Sequence, residues 1–463
     1  MVFKKTERLL DMSCGNPFKL LLHFSMPLFV GNLLQQVYNL ADTAIAGHML
    51  GDTALAQIGA TTALYALITN LAFGMNNGLA LPVSRAFGAK DAKKLKQSVA
   101  WMIILSCGCA LVLTVAFLLT RYPLLRALQT PDSVFSGAMN YLAVILAGIP
   151  LTMVYNLEAS LLQAVGNSRT PLMLLLFSSA LNILLDAAFM GPLGMGVGGA
   201  AIATILAQGV SAIGGFFYIY KNYPELRFGR DALHVSASFV WDVFATGLSM
   251  ALMSAIYNIG SVILQGSINR LGSAYIAAQV AARRLAELIY IPGVALGMAI
   301  ATYASQNYGA GKRTRIAQGA KAGVAIYGVW WLIAMALTFT IGAQAVRAVT
   351  GSRDMRIISA ATRYLYINIP MIPPMAVLVV FRGILQGIRH RVAPLICSSI
   401  EMIGKIIFAF YIVPVHGYIA VCICEPITWV ACFVFMCIVV LINRHELAGS
   451  ADGRQLPRQT QGV

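Results

Sequence analysis

Charge is what this chain has least of. Only 11% of its 463 residues are Asp, Glu, Lys or Arg, against about 25% in an ordinary soluble domain. Cysteine and histidine are also sparse, eight and six. No CxxC pair and no His/Cys cluster at metal-ligand spacing occurs, so neither a zinc site nor a disulfide framework is expected and the cysteines read as small core residues. There is no HExxH helix, no aspartate-rich diphosphate motif and no Ser/His pair, so no enzymatic chemistry and no cofactor are expected. One apparent motif is dismissed. Gly194, Gly196 and Gly199 match GxGxxG, but no strand precedes them and no acid follows at about 20 residues, which reads as a tight turn between apolar helices.

Apolar residues fill the space that charge leaves. They make up 59% of the chain, mean hydropathy is +0.76, and they arrive in blocks of membrane-spanning length such as 138–157, 171–190, 322–341 and 421–442. Counting blocks predicts an all-α polytopic membrane protein with twelve spans: 20–48, 53–78, 97–120, 134–160, 168–190, 194–220, 240–268, 275–305, 316–342, 357–385, 393–413 and 417–443. The start, MVFKKTERLLDMSCGNPFK, lacks a small-residue cleavage site after a short apolar core, so a signal peptide is not expected.

The formal net charge of +16 is distributed unevenly. Of 33 Lys and Arg, 23 fall in the termini and even-numbered connections, seven in odd-numbered ones, and Arg283, Arg284 and Lys405 within spans. That asymmetry follows the positive-inside rule and predicts both termini in the cytoplasm of a prokaryotic plasma or inner membrane. The basicity serves orientation and anionic lipid, and no nucleic-acid partner is expected.

The chain is written twice. At an offset of about 220, Tyr38-Asn39 falls on Tyr257-Asn258, Leu50-Gly51 on Leu271-Gly272, and Gly88-Ala89 on Gly309-Ala310. Ile149-Pro150 falls on Ile369-Pro370, and LLQAVGNSRTPL (161–172) on ILQGIRHRVAPL (384–395). Five matches in one order predict two six-helix lobes of equal topology, related by a pseudo-two-fold axis along the membrane normal as in two-lobed transporters. The expected organisation is a lead-in at 1–19, an N-lobe at 20–220, a basic linker at 221–239, a C-lobe at 240–443 and a polar tail at 444–463. A monomer is expected.

Six acids lie within or beside the spans: Asp42, Glu158, Asp186, Glu287, Glu401 and Glu425. An ionised side chain at bilayer depth costs at least about 2.5–3.5 kcal/mol, so each is a functional candidate. Asp42 and Asp186 stand out by their neighbours. Tyr38 precedes Asp42, and Asn182 precedes Asp186, by one helical turn on the same face. Tyr141, Asn156 and Thr204 extend the first half's polar set. Its carboxylate, amide and hydroxyl oxygens suit a hard cation such as Na⁺ at Asp42, Asn182, Asp186 and Thr204, or a proton on the acids. The second half has Ser261 near the place of Asp42, and Lys405 near that of Asn182. There Glu401 and Lys405 are spaced to pair with each other, Glu287 to pair with Arg284, and Glu425 lies between packing and substrate contact. Pro27 removes a backbone donor inside the first span, where a bend would carry Tyr38 and Asp42.

These residues resemble the multidrug and toxic compound extrusion (MATE) family over about 15–445. The carrying elements are PLFVGNLLQQVYNLADTAIAG, the Gly88-Ala89 and Gly309-Ala310 loops, and LNILLD followed by PLGMGVGGAAIAT. The resemblance implies an antiporter exporting cationic or amphipathic organic compounds in exchange for H⁺ or Na⁺. It places Asp42 and Asp186 on the family's N-lobe acids and Tyr38, Tyr141, Asn156, Asn182 and Thr204 around them, as in its DinF-type branch, with Pro27 on the proline that bends the first helix. The position nearest the seventh-helix acid of the NorM-type branch is Tyr257. The remaining possible C-lobe contacts are Lys405, Glu401 and Glu425. A related two-lobed function, flipping a lipid-linked oligosaccharide, is the alternative. It calls for a strongly cationic cavity, whereas the buried cations here are few (Lys405 and Arg382).

Overall fold

The computed structural model describes residues 9–351 and 353–444; the start of the lead-in and nearly all of the polar tail lie outside the described residues. The first half is α1 (Pro17–Leu50), α2 (Asp52–Gly88), α3 (Ala92–Ala127), α4 (Asp132–Ala147), α5 (Ile149–Ala164), α6 (Arg169–Met190) and α7 (Gly196–Asn222). The second half is α8 (Ala237–Asn269), α9 (Ser273–Gly309), α10 (Arg313–Thr350), α11 (Met355–Asn368), α12 (Ile372–Gly387), α13 (Val392–Ile407), α14 (Val413–His416) and α15 (Tyr418–Ile442). Among the described residues there is no strand. Eleven helical stretches are long and apolar enough to cross a membrane, and α4 with α5 makes twelve.

Local chemistry sets the boundaries. Asn16, Asp91 and Ser236 cap α1, α3 and α8 by accepting from the backbone N–H three residues on. Gly51 and Gly272, repeat-related, take φ of 77° and 103° to turn α1 into α2 and α8 into α9. The expected single spans 134–160 and 357–385 are interrupted. α4 and α5 meet at Gly148 with a 47° bend, one residue before Ile149-Pro150. α11 and α12 are joined by a 3₁₀ turn over Ile369–Met371, beside Pro370, Pro373 and Pro374. Proline lacks the amide the preceding turn needs, which explains why both repeats break at the same place.

α2 has 37 residues, about 55 Å at 1.5 Å per residue, and runs ten residues beyond the apolar block at 53–78. Its last turns, Gly78–Gly88, are buried, in part against the other half. That contact is close. A Cβ at Gly88 would meet the backbone of Gln306, one at Gly309 the carbonyl of Arg85, and one at Gly78 the backbone of Thr246 and Gly247. All lie toward the end that carries the basic connections. Polar groups join the halves there too: Gln306 donates to the Ala164 carbonyl at 3.1 Å and accepts from the Met12 N–H at 2.9 Å. Asp242 on α8 faces Arg85 on α2, and also Arg389 and Arg391.

α1 is shared between the halves. Leu21, Phe24 and Leu28 pack into the second half's core with Leu296, Ile300 and Tyr327. Beyond Pro27 the helix runs on without a break, and Ala46 packs with Tyr141 and Met190 of the first half.

Candidate functional site

The polar centre of the first half is built on α1, α6 and α7. α1 brings Tyr38 and Asp42 on one face, α6 brings Asn182 and Asp186, and the Asp42 and Asp186 carboxyls meet within hydrogen-bonding reach. Asp186 is fully buried. Asn182 satisfies its surroundings with Nδ2 donating to Asp186 Oδ2 at 2.8 Å and to the Tyr38 hydroxyl at 3.1 Å, while Oδ1 faces the Thr204 N–H at 3.1 Å. One oxygen of each acid, Asp42 Oδ1 and Asp186 Oδ1, is buried with no hydrogen-bond partner. No Lys, Arg or His among the described residues forms an ion pair with either.

Tyr141 stands beside the pair, as does Tyr65 on α2, which the sequence reading missed because a lone tyrosine in an apolar helix carries no spacing signal. Asn156 is turned to its own helix, donating to the Thr152 carbonyl at 2.9 Å. The structure therefore gathers Tyr38, Asp42, Asn182, Asp186, Thr204 and Tyr141, and records no bond from Asn156 to the acids.

The second half holds the same positions with different chemistry. Lys405 Nζ donates to Ser261 Oγ at 3.0 Å and lies 4.0 Å from the centre of the Tyr257 ring. Its stem passes Gly260, where a Cβ would stand 3.2 Å from the lysine Cδ. Lys405 is fully buried. Glu425 accepts from the Tyr364 hydroxyl at 2.7 Å and pairs with Arg283. Ser261, Gln265, Gln279, Arg283, Lys405 and Glu425 line one small cavity.

Two expected pairs are corrected. Glu401 does not pair with Lys405; it faces Arg382 of α12 at 3.7 Å, while Lys405 is drawn to α8. Glu287 pairs with Arg283 at 3.7 Å and not with Arg284, because Arg283 is on the inward face that also reaches Glu425. In both cases a partner on another helix decides which neighbour is used.

The MatE family profile matches residues 27–188 and 249–411, one match in each half. Among curated proteins, the chain is similar to the probable multidrug resistance protein YpnP of Bacillus subtilis strain 168, 29% identical over 66% of this chain and 68% of that protein. It is also similar to the multidrug export protein MepA of Staphylococcus aureus strain NCTC 8325, 24% identical over 83% and 84%. A crystal structure described as MATE in the bent conformation superposes with a TM-score of 0.88 at 22% identity, covering 96% of this chain and 99% of that one, a likeness of fold.

Proposed function

The chain belongs to the MatE family of multi-pass membrane transporters, and on that premise we propose that it exports cationic or amphipathic organic molecules in exchange for H⁺ or Na⁺. The two lobes alternate access to a substrate between them, and the end with the basic connections faces the cytoplasm.

One observation carries the coupling assignment. Asp42 and Asp186 face each other within hydrogen-bonding reach on membrane-spanning helices, each with an unpartnered oxygen, and neither is ion-paired among the described residues. Two negative charges so close in a low dielectric repel, so the pair is complete only with a proton or a cation between them. With Asn182 and Thr204 the oxygens suit Na⁺ as well as H⁺. In the C-lobe the equivalent place is taken by the Lys405 ammonium, a cation that cannot leave. Coupling through the N-lobe alone follows, in the pattern of the DinF-type branch.

The transport cycle then has a simple order. Cation or proton arrival at Asp42 and Asp186 removes their repulsion, Asn182 and Tyr38 re-bond, and α1 shifts against α6. Because α1 also packs on the C-lobe, that shift changes the substrate path between lobes. The flippase alternative finds less support, since Arg283 and Arg382 are matched by Glu425 and Glu401.

The test is efflux of a fluorescent organic cation from proteoliposomes under an imposed H⁺ or Na⁺ gradient. Wild type should export under one gradient and Asp42→Asn under neither. Full-rate uphill export by Asp42→Asn would refute the assignment.

A further inference from the structure

Glu158 has no place in the cycle above, yet it is the least satisfied group in the N-lobe. It lies on α5, is 3% exposed, and neither carboxyl oxygen has a hydrogen-bond partner. It sits in the seam between α5, α6 and α7, beside Leu174 and Gly215; a Cβ on Gly215 would collide with its carboxylate. Tyr155, one turn back on its own helix, is the titratable group beside it. From the helices packed on α5 (α2, α3, α4, α6 and α7), no described Lys, Arg or His pairs with it and no acid bonds to it.

The helix opposite sets polar side chains in register between the two sites. Thr204, Gln208, Ser211, Gly215 and Tyr218 follow at spacings of 4, 3, 4 and 3, which is one face of α7. Thr204 belongs to the Asp42–Asp186 centre. Gln208 Oε1 accepts from Thr152 Oγ1 of α5 at 2.6 Å. Ser211 is buried, and its hydroxyl has no partner. Gly215 makes room for Glu158, and Thr170 donates to the Tyr218 hydroxyl at 3.5 Å close to the basic-connection end. From Thr204 to Gly215 the line covers about 16 Å at 1.5 Å per residue.

We propose that Glu158 is a proton carrier on the cytoplasmic side of the coupling centre, fed along the Thr204–Gln208–Ser211 face of α7. A proton leaves the Asp42–Asp186 pair, passes along that hydroxyl and amide line, and is taken up by the Glu158 carboxylate. The neutral carboxyl gives it up toward the basic-connection end and returns to the carboxylate. A carboxyl without a partner suits that duty, because no fixed bond must be broken at either step. This inference rests on proton coupling at Asp42 and Asp186.

The experiment compares wild type, Glu158→Gln, Glu158→Asp and Asp42→Asn in proteoliposomes, by pH-driven export and by substrate counterflow, which moves no net proton. Glu158→Gln should lower pH-driven export by about 10-fold or more while leaving counterflow intact, and Glu158→Asp should restore part of it. Wild-type rates in Glu158→Gln, beside a dead Asp42→Asn, would overturn the carrier and leave the coupling centre standing. Loss of counterflow in Glu158→Gln would overturn it as well, since the residue would then be structural. Export driven by Na⁺ and not by pH would overturn the carrier and leave Asp42 and Asp186 standing as a Na⁺ centre, whereas an unimpaired Asp42→Asn would remove the coupling reading itself and the carrier with it.

Discussion

Arg85 on α2 and Asp242 on α8 face each other at 3.8 Å across the boundary between the lobes, and Asp242 also holds Arg389 and Arg391 at 3.0 Å each. One carboxylate thus serves three guanidiniums, one of them from the opposite lobe. Both side chains are at least four-fifths buried, so this pair is screened far less than a surface ion pair. It sits beside the Gly88–Gln306 approach and closes the same end of the molecule.

Asp242→Asn should loosen that end. It leaves Arg85 facing its own like charges, and breaking a buried pair costs about 3–5 kcal/mol. Amide hydrogen exchange over 80–88 and 302–309 should quicken by at least about 10-fold. Unchanged protection would mean that the helix packing alone holds the closure.

Gly88→Ala and Gly309→Ala test the packing separately. Each Cβ would meet main chain of the opposite helix, which cannot move aside as a side chain can. Overpacking of this kind costs about 1–3 kcal/mol, so each variant should unfold at lower temperature or favour the form open at this end. Thermal unfolding and labelling from that face distinguish the two.

Asp186→Asn should abolish coupled export while keeping the fold. The change removes a charge that the protein leaves partly unpartnered, so the melting temperature should hold or rise. A melting temperature lowered by more than about 2 °C, roughly 2 kcal/mol for a chain of this size, would instead give Asp186 a structural part.

Glu425→Gln should destabilise the C-lobe, because Arg283 would lose its main counter-charge. The expected cost is about 3–5 kcal/mol, and the double variant Arg283→Met/Glu425→Gln should recover much of it. Additive losses in thermal unfolding would show that the two residues do not act as a pair.

What could be read in the sequence was what depends on local composition or on the repeat. Apolar blocks gave the spans, and the Ile-Pro matches marked where both halves later break. The full length of α2 was hidden, because its last turns face protein and not lipid, and hydropathy is blind to that difference. Tyr38, Asp42, Asn182 and Asp186 were visible because polar residues one turn apart are rare in such helices. Tyr65 was not, since only threonines stand in register with it, at 61, 62 and 69, and hydroxyls that can bond their own helix carbonyls are ordinary in such helices. Local spacing misassigned Glu401, whose partner Arg382 lies on another helix, and took the wrong one of two adjacent arginines for Glu287, since the inward turn of Arg283 toward Glu425 leaves no trace in a single chain.

The division of α1 around Pro27 bears on how many moving parts the transporter has. Leu21, Phe24 and Leu28 are bedded in the C-lobe, whereas Tyr38 and Asp42 belong to the N-lobe's centre. The helix is therefore an axle fixed in both bodies, with the amide missing at Pro27 falling inside the C-lobe bearing, just before Leu28. Neither lobe can swing as a solid block without twisting it. If Asp42 is the coupling acid proposed above, one proton reaching it would act on the opposite lobe through covalent backbone, with no need for contact across the cleft.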